Sequence, residues 1–265
     1  MRDTAYNIDP ASISAEEWQA RCDLAALYRL VAHFRWTDHI DTHISARVPG
    51  EPGHYLINRY GVMFHEMRAS DLVKVDHAGD VIDPRFGPDS VNRAGFNIHS
   101  AVHAARPDVA CVIHTHTAAG IAVSAQEEGL LPISQHALKY HNRLGYHDYE
   151  GIALSFDEQQ RLVRDLGDHL GMILRNHGLL TVGASVKQAF LRMYYLEKAC
   201  DIQIAAQAGG ELVIPPDAVC RRTERQFNEP HQPQAEGELS DPDGIDLAWE
   251  ALLRMLDRIQ PDYRN

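Results

Sequence analysis

Two histidines one residue apart, His114 and His116, follow the short apolar run Val109-Ala110-Cys111-Val112-Ile113. A run of this length, rich in β-branched residues, reads as a buried strand. Side chains alternate along a strand, so both imidazoles are expected on one face, one pleat apart. They can share a cation if a third ligand arrives from elsewhere in the fold. His177 is the candidate: it follows Met172-Ile173-Leu174 and sits in Asn176-His177-Gly178, a turn where glycine admits unusual backbone angles. Zinc, manganese and iron(II) all accept neutral imidazole nitrogens, and three histidines leave positions for water and substrate. The plainer alternative is two polar residues at a strand end, since His-x-His alone is a short motif. The buried strand before it and the separate Asn-His-Gly favour a divalent-metal site at His114, His116 and His177.

The elements that must position these residues are legible in part. Ser14 with Glu17 predicts an N-cap and capping box, opening a helix that runs to about His33. Residues 43 to 58 read as a hairpin around the turn Pro49 to Gly53. Ala69 to Leu72 reads as a helical turn, Val73 to Val75 as a strand, and Asn92 to Ala105 as a helix ended by Arg106-Pro107. The strand carrying the histidines is placed at 109 to 116, and a helix-compatible stretch follows from Ala118 to Ala125. Residues 128 to 156 yield no assignment. Helices are expected at Phe156 to Leu166, Ser185 to Gln207 and Asp246 to Ile259, and strands at Met172 to Arg175 and Leu179 to Val182. Glu229 to Gly244 is rich in Pro, Glu, Gln and Gly and reads as an exposed loop. The implied organisation is an arm at 1 to 14, one α/β domain at 15 to 210, and an extension at 211 to 265 available to dock on a neighbouring subunit.

The 265 residues suffice for a sizeable core. A net charge of −12 argues against a nucleic-acid or anionic-membrane binder. Four scattered cysteines without a CxxC pair read as reduced thiols of a cytoplasmic protein. No apolar run approaches the ~20 residues of a membrane span, and the first residues lack the apolar core of a signal peptide.

Ordered blocks along the chain resemble a known family. They are His39-Ile40 with His43-Ile44-Ser45-Ala46-Arg47, Leu56-Ile57-Asn58 with Gly61, and Leu72-Val73-Lys74-Val75-Asp76. They continue through His99, Arg106-Pro107-Asp108-Val109, Val112 to Thr117, and Leu174 to Leu180 with Gly183, ending at Leu196-Glu197. Over about residues 17 to 208 the chain is similar to the class II aldolase/adducin superfamily. The resemblance implies a three-layer α/β/α sandwich around a mixed, largely antiparallel sheet. It also implies a homotetramer with metal sites near subunit boundaries, and His114, His116 and His177 as the ligands of one divalent ion.

One departure outweighs the matches. The aldolases carry a general acid/base glutamate four residues before the histidine that aligns with His99, and here that position is Gly95. Glycine transfers no proton, so that relay does not carry over; the wording around Gly95 is similar to the adducin-like branch. At the positions where sugar-phosphate aldolases hold phosphate, this chain has His43, Asn58-Arg59-Tyr60-Gly61 and Arg93-Ala94. Bulkier, cationic side chains point to a carboxylate held by Arg59 or Arg93, with pairing to a neighbouring carboxylate as the equal alternative. Asn58, Gly61 and Gly95 complete the candidate substrate pocket. His99 and His136 are the candidate catalytic bases, each set against a packing role. Weaker candidates are His103, Tyr140, Tyr146 and Tyr149, the carboxylates Glu66 and Glu150, and Asn176 as an orienting residue.

Three functions compete. A metal-dependent lyase would cleave or decarboxylate a small non-phosphorylated oxygenated acid. A three-histidine iron(II) oxygenase would act on a hydroxy acid, for which a carboxylate at the metal is less necessary. A non-catalytic, adducin-like binding protein would keep the fold alone. Retention of all three histidines favours an enzyme, and the lyase is preferred.

Overall fold

The computed structural model describes residues 8–151, 156–229 and 244–265. Its centre is a seven-stranded sheet in the order β3-β2-β1-β4-β7-β6-β5. The strands are β1 (Ile44–Arg47), β2 (His54–Ile57), β3 (Val73–Asp76), β4 (Cys111–Thr115), β5 (Leu144–His147), β6 (Gly171–Leu174) and β7 (Gly178–Gly183). Every neighbouring pair is antiparallel except β5 with β6. The expected mixed, largely antiparallel sheet is present.

Alternation along β4 divides the molecule into layers. Cys111 and Ile113 face a core built from α1 (Ala15–His33), α3 (Ala118–Ser124) and α6 (Val186–Ala208). Val112 faces the other way, into a cluster shared with α2 (Arg93–Ala105) and α5 (Phe156–Leu166). His114 follows two residues after Val112 and opposite Leu180 of that same cluster, so it belongs to the α2/α5 face. Thr115 belongs to the α6 face. The sandwich is α/β/α.

Local chemistry explains the element ends. Ser14, Asn92, Thr117 and Ser185 each accept a backbone N–H three residues on, as N-caps. The capping box at Ser14 is only half made: the Glu17 carboxylate turns to Arg21 at 2.8 Å and Lys74 at 2.7 Å. β4 stops at Thr115 rather than running to residue 116, because Thr117 already caps α3. The unassigned stretch contains α4 (Gln135–Leu138) and β5, and α7 (Asp217–Asn228) escaped prediction. The expected loop at Glu229 to Gly244 falls, apart from its two end residues, outside the described residues.

The terminal helix α8 (Ile245–Ile259) packs on its own chain through Trp249, whose ring centroid lies 6.0 Å from that of Phe190. Beyond it the Asn265 carbonyl accepts from the Ser70 N–H at 2.9 Å, and Tyr263 is fully buried. All four cysteines are buried free thiols. Among the described residues no helix is long and apolar enough to cross a membrane.

Candidate metal centre

The three histidines converge. His116 Nε2 lies 2.8 Å from His114 Nε2 and 3.0 Å from His177 Nε2. His114 comes from β4, His116 from the residue between β4 and the Thr117 cap, and His177 from the β6–β7 turn. That turn works differently from the expectation. The left-handed angle falls on Asn176, at φ 57°, while Gly178 is required because a Cβ there would sit 2.2 Å from the Thr115 carbonyl oxygen. Close approach of β4 to β7 is therefore what draws His177 onto the other two.

Two of their outward nitrogens are held. His114 Nδ1–H donates to the Leu179 carbonyl at 2.9 Å, and His116 Nδ1–H donates to Asp38 Oδ2 at 3.1 Å. With Nδ1 protonated, the neutral form of either ring turns a lone pair, not a hydrogen, out of Nε2. Two lone pairs facing each other at 2.8 Å are not a hydrogen bond; a cation between them satisfies both. Burial, reinforced by the other two rings, holds His114 well below the ordinary histidine range. Burial and His116 lower His177 to about 4. Neutral imidazoles oriented by a carbonyl and a carboxylate suit a divalent cation. Among the described residues these three form the only such cluster of potential ligands.

Behind the centre, on the α6 face, Glu197 is buried and grips both flanks of His116. Thr115 Oγ1 donates to one carboxylate oxygen at 2.6 Å and Thr117 Oγ1 to the other at 2.7 Å. Burial raises the Glu197 carboxyl to about 7, against the pull of the two hydroxyls. Asp38 had no sequence signal beyond its place before His39, and Glu197 stood out only through the resemblance.

Gly95 has a physical explanation. A Cβ built on it would lie 2.1, 2.3 and 2.5 Å from Cε1, Nε2 and Nδ1 of His43. The space that a residue-95 side chain would enter is taken by an imidazole. The His114 N–H donates to the His43 carbonyl at 3.2 Å, and burial with His116 and His177 lowers His43 to about 4. Beneath it, His99 Nδ1 and His103 Nε2 each lie 2.8 Å from Ser45 Oγ. His99 is buried with its ring 6.1 Å from that of His43, so it stands behind the centre rather than in it.

The other predicted site residues scatter. Asn58 is buried, its side-chain oxygen accepting from the Tyr28 hydroxyl at 3.0 Å. Arg93 is exposed and paired with Asp80. Arg59 is half-buried at the end of the hairpin, and Gly61 is exposed with φ 85°. His136 packs on Tyr195, with ring centroids 5.4 Å apart, between α4 and α6. Tyr140 donates to the Arg192 carbonyl, and the Tyr146 hydroxyl accepts from the Leu130 N–H at 3.1 Å. Glu150 pairs with Arg161 at 2.7 Å, and Glu66 accepts from the Met63 N–H at 3.2 Å.

Tyr149 is different, its ring centroid 6.4 Å from that of His177. With His147, Asp148, Glu158 and Leu174 it lines a recess of about 20 Å³ that also touches His177. A wider, open hollow bounded by Gln126, Asp148, Tyr149, Arg175 and Asn176 lies beside it.

Comparisons with known proteins agree with this architecture. A family described as "Class II Aldolase and Adducin N-terminal domain" matches residues 22–204. The crystal structure of an aldolase II superfamily protein from Pseudomonas syringae is 52% identical with a TM-score of 0.87, covering 96% of this chain and 98% of that one. An L-fuculose 1-phosphate aldolase from Glaciozyma antarctica is 27% identical with a TM-score of 0.81, covering 98% of both chains. Alpha-adducin of Rattus norvegicus is 44% identical over 246 residues, which are 90% of this chain and 33% of that protein. The sheet order, the histidine-bearing strand and these matches together make the chain a member of the class II aldolase and adducin family.

Proposed function

We propose that the protein is a divalent-metal-dependent lyase, performing aldol-type cleavage or decarboxylation of a small, non-phosphorylated oxygenated acid. The observation that carries this is the convergence of three Nε2 atoms, two of them in rings oriented by Leu179 and Asp38. A zinc, manganese or iron(II) ion held by His114, His116 and His177 would supply Lewis acidity toward a substrate oxygen. Asp38 and the Glu197 clamp keep the ligands placed. The choice of a non-phosphorylated substrate is supported by the fate of the phosphate-type positions: Asn58 is bound to Tyr28 and Arg93 to Asp80. A cytoplasmic homotetramer acting on a small molecule completes this reading, by analogy with the family.

The second reading is an iron(II) oxygenase, favoured by one feature: Gly95 leaves three histidines with no carboxylate from that position. The test begins with metal analysis of protein purified without added metal. Product and oxygen assays follow on zinc-, manganese- and iron-loaded samples with hydroxy and oxo acids. Cleavage or decarboxylation without oxygen uptake supports the lyase. Oxygen consumption dependent on iron and substrate replaces it with the oxygenase, and failure to bind any metal leaves the adducin-like binding role.

A further inference from the structure

Gly95 leaves the metal centre without the family's acid/base carboxylate, yet a second oriented base lies close by. His147 ends β5 in register with Leu174 of β6. Leu174 belongs to the cluster on the α2/α5 face, the face that carries His114, so His147 is turned to the same layer as the metal ligands. Its Nδ1 lies 2.8 Å from Oδ2 of Asp165, on α5. The side chain is only 6% exposed, and its Nε2 is buried with no hydrogen-bond partner among the described residues. A buried imidazole nitrogen of this kind can accept a hydrogen bond from a hydroxyl that reaches it. His147 and His177 line the same recess, whose roughly 20 Å³ seats one water or one hydroxyl.

We infer that His147, oriented by Asp165, is the general base of this centre, and that its Nε2 receives the hydroxyl of a small hydroxy acid entering the recess. This rests on the metal-site reading above. Asp165 accepts the Nδ1–H, so Nε2 presents a lone pair, the arrangement of a base held by a third group. In cleavage, Nε2 takes the proton of the substrate hydroxyl. The O–H electron pair becomes the new carbonyl π bond as the adjacent C–C bond breaks, and the released pair passes to the departing carbon fragment. The same proton then returns from Nε2 to that carbon. Asp165 stays ionised and offsets the transient imidazolium. The carbon fragment and the proton balance with no oxidant or further reactant.

The experiment uses zinc-loaded full-length protein and two probes, glycolohydroxamate and acetohydroxamate, which differ by one hydroxyl. Affinities are read by calorimetry for wild type, His147→Gln and Asp165→Asn. Zinc should bind all three alike, and acetohydroxamate likewise. Glycolohydroxamate should weaken on the order of tenfold in both variants, one hydrogen bond to the lost hydroxyl. Equal glycolohydroxamate affinity in wild type and His147→Gln overturns the inference, and so does a fall in zinc affinity, which would make His147 a ligand. Zinc bound to wild type without either hydroxamate overturns it while sparing the metal site. No zinc binding by wild type removes both. If His147→Gln fails to fold, nitrogen NMR of wild-type His147 decides: an unprotonated Nε2 at neutral pH supports the assignment and an Nε2–H overturns it.

Discussion

The contact between His43 and residue 95 permits a worked test. Gly95 is the third residue of α2, where alanine should be preferred to glycine by about 0.5–1 kcal/mol because it loses less backbone entropy. The structure reverses that sign. A Cβ would stand 2.1–2.5 Å from three His43 ring atoms, against a carbon–carbon contact optimum of about 3.5–4.0 Å. The ring must retreat by more than an ångström, and it is buried, with His99 behind it. Overpacking of this kind costs about 1–3 kcal/mol. Gly95→Ala should therefore destabilise metal-free protein by a net of about 1–2 kcal/mol, lowering Tm by several degrees for a chain of this size. In a His43→Ala background the same substitution should stabilise by about 0.5–1 kcal/mol, since the obstructing ring is gone. Urea unfolding of the four proteins closes the cycle, with an expected coupling of about 2 kcal/mol. If Gly95→Ala stabilises the wild type, or shifts both backgrounds equally, His43 does not exclude a residue-95 side chain. Gly95→Glu alone would then become the simple route to an aldolase carboxylate that this packing denies.

Three further outcomes follow from the centre. His114→Ala should abolish high-affinity binding of zinc or cobalt while leaving the far-ultraviolet circular dichroism unchanged; retained binding by calorimetry would remove His114 from the ligand set. Asp38→Ala should weaken zinc by about 10–100-fold, because His116 loses the carboxylate that fixes its tautomer and orientation, and an unchanged dissociation constant would refute that role. Glu197 gives a pH signature in metal-free protein. Its carboxyl is raised from an ordinary 4.5 to about 7, so the stability it contributes is fully present below about 4.5 and is lost as pH rises through about 7. Glu197→Gln should remove that decline, and parallel stability–pH curves for the two proteins would contradict the assignment.

Much of the fold was legible because it depends on local chemistry. Helix starts at Ser14, Asn92 and Ser185 follow from hydroxyl and amide caps, and the hairpin at 43 to 58 from alternation around Pro49 to Gly53. The miss at β5 has a physical cause. It is a four-residue edge strand, Leu144–His147, paired parallel with β6, so nothing adjacent in sequence signals it. That omission concealed the partnership of His147 with Asp165. Arginines and tyrosines chosen for their chemistry turned out to have partners that no motif specifies, as with Arg93 and Asp80 or Tyr140 and the Arg192 carbonyl.

By itself the sequence determined the residue types and spacing of the three-histidine cluster: an alternating strand carrying His114 and His116, and a turn carrying His177. It determined equally that residue 95 has no proton to give. Only the tertiary structure decided which nitrogens face one another, because Nε2 is selected by what holds Nδ1, and Leu179 and Asp38 are distant in sequence from the rings they orient. Only the tertiary structure, too, assigned the space at Gly95 to His43, since two side chains from separate elements compete for one volume and close packing admits a single occupant.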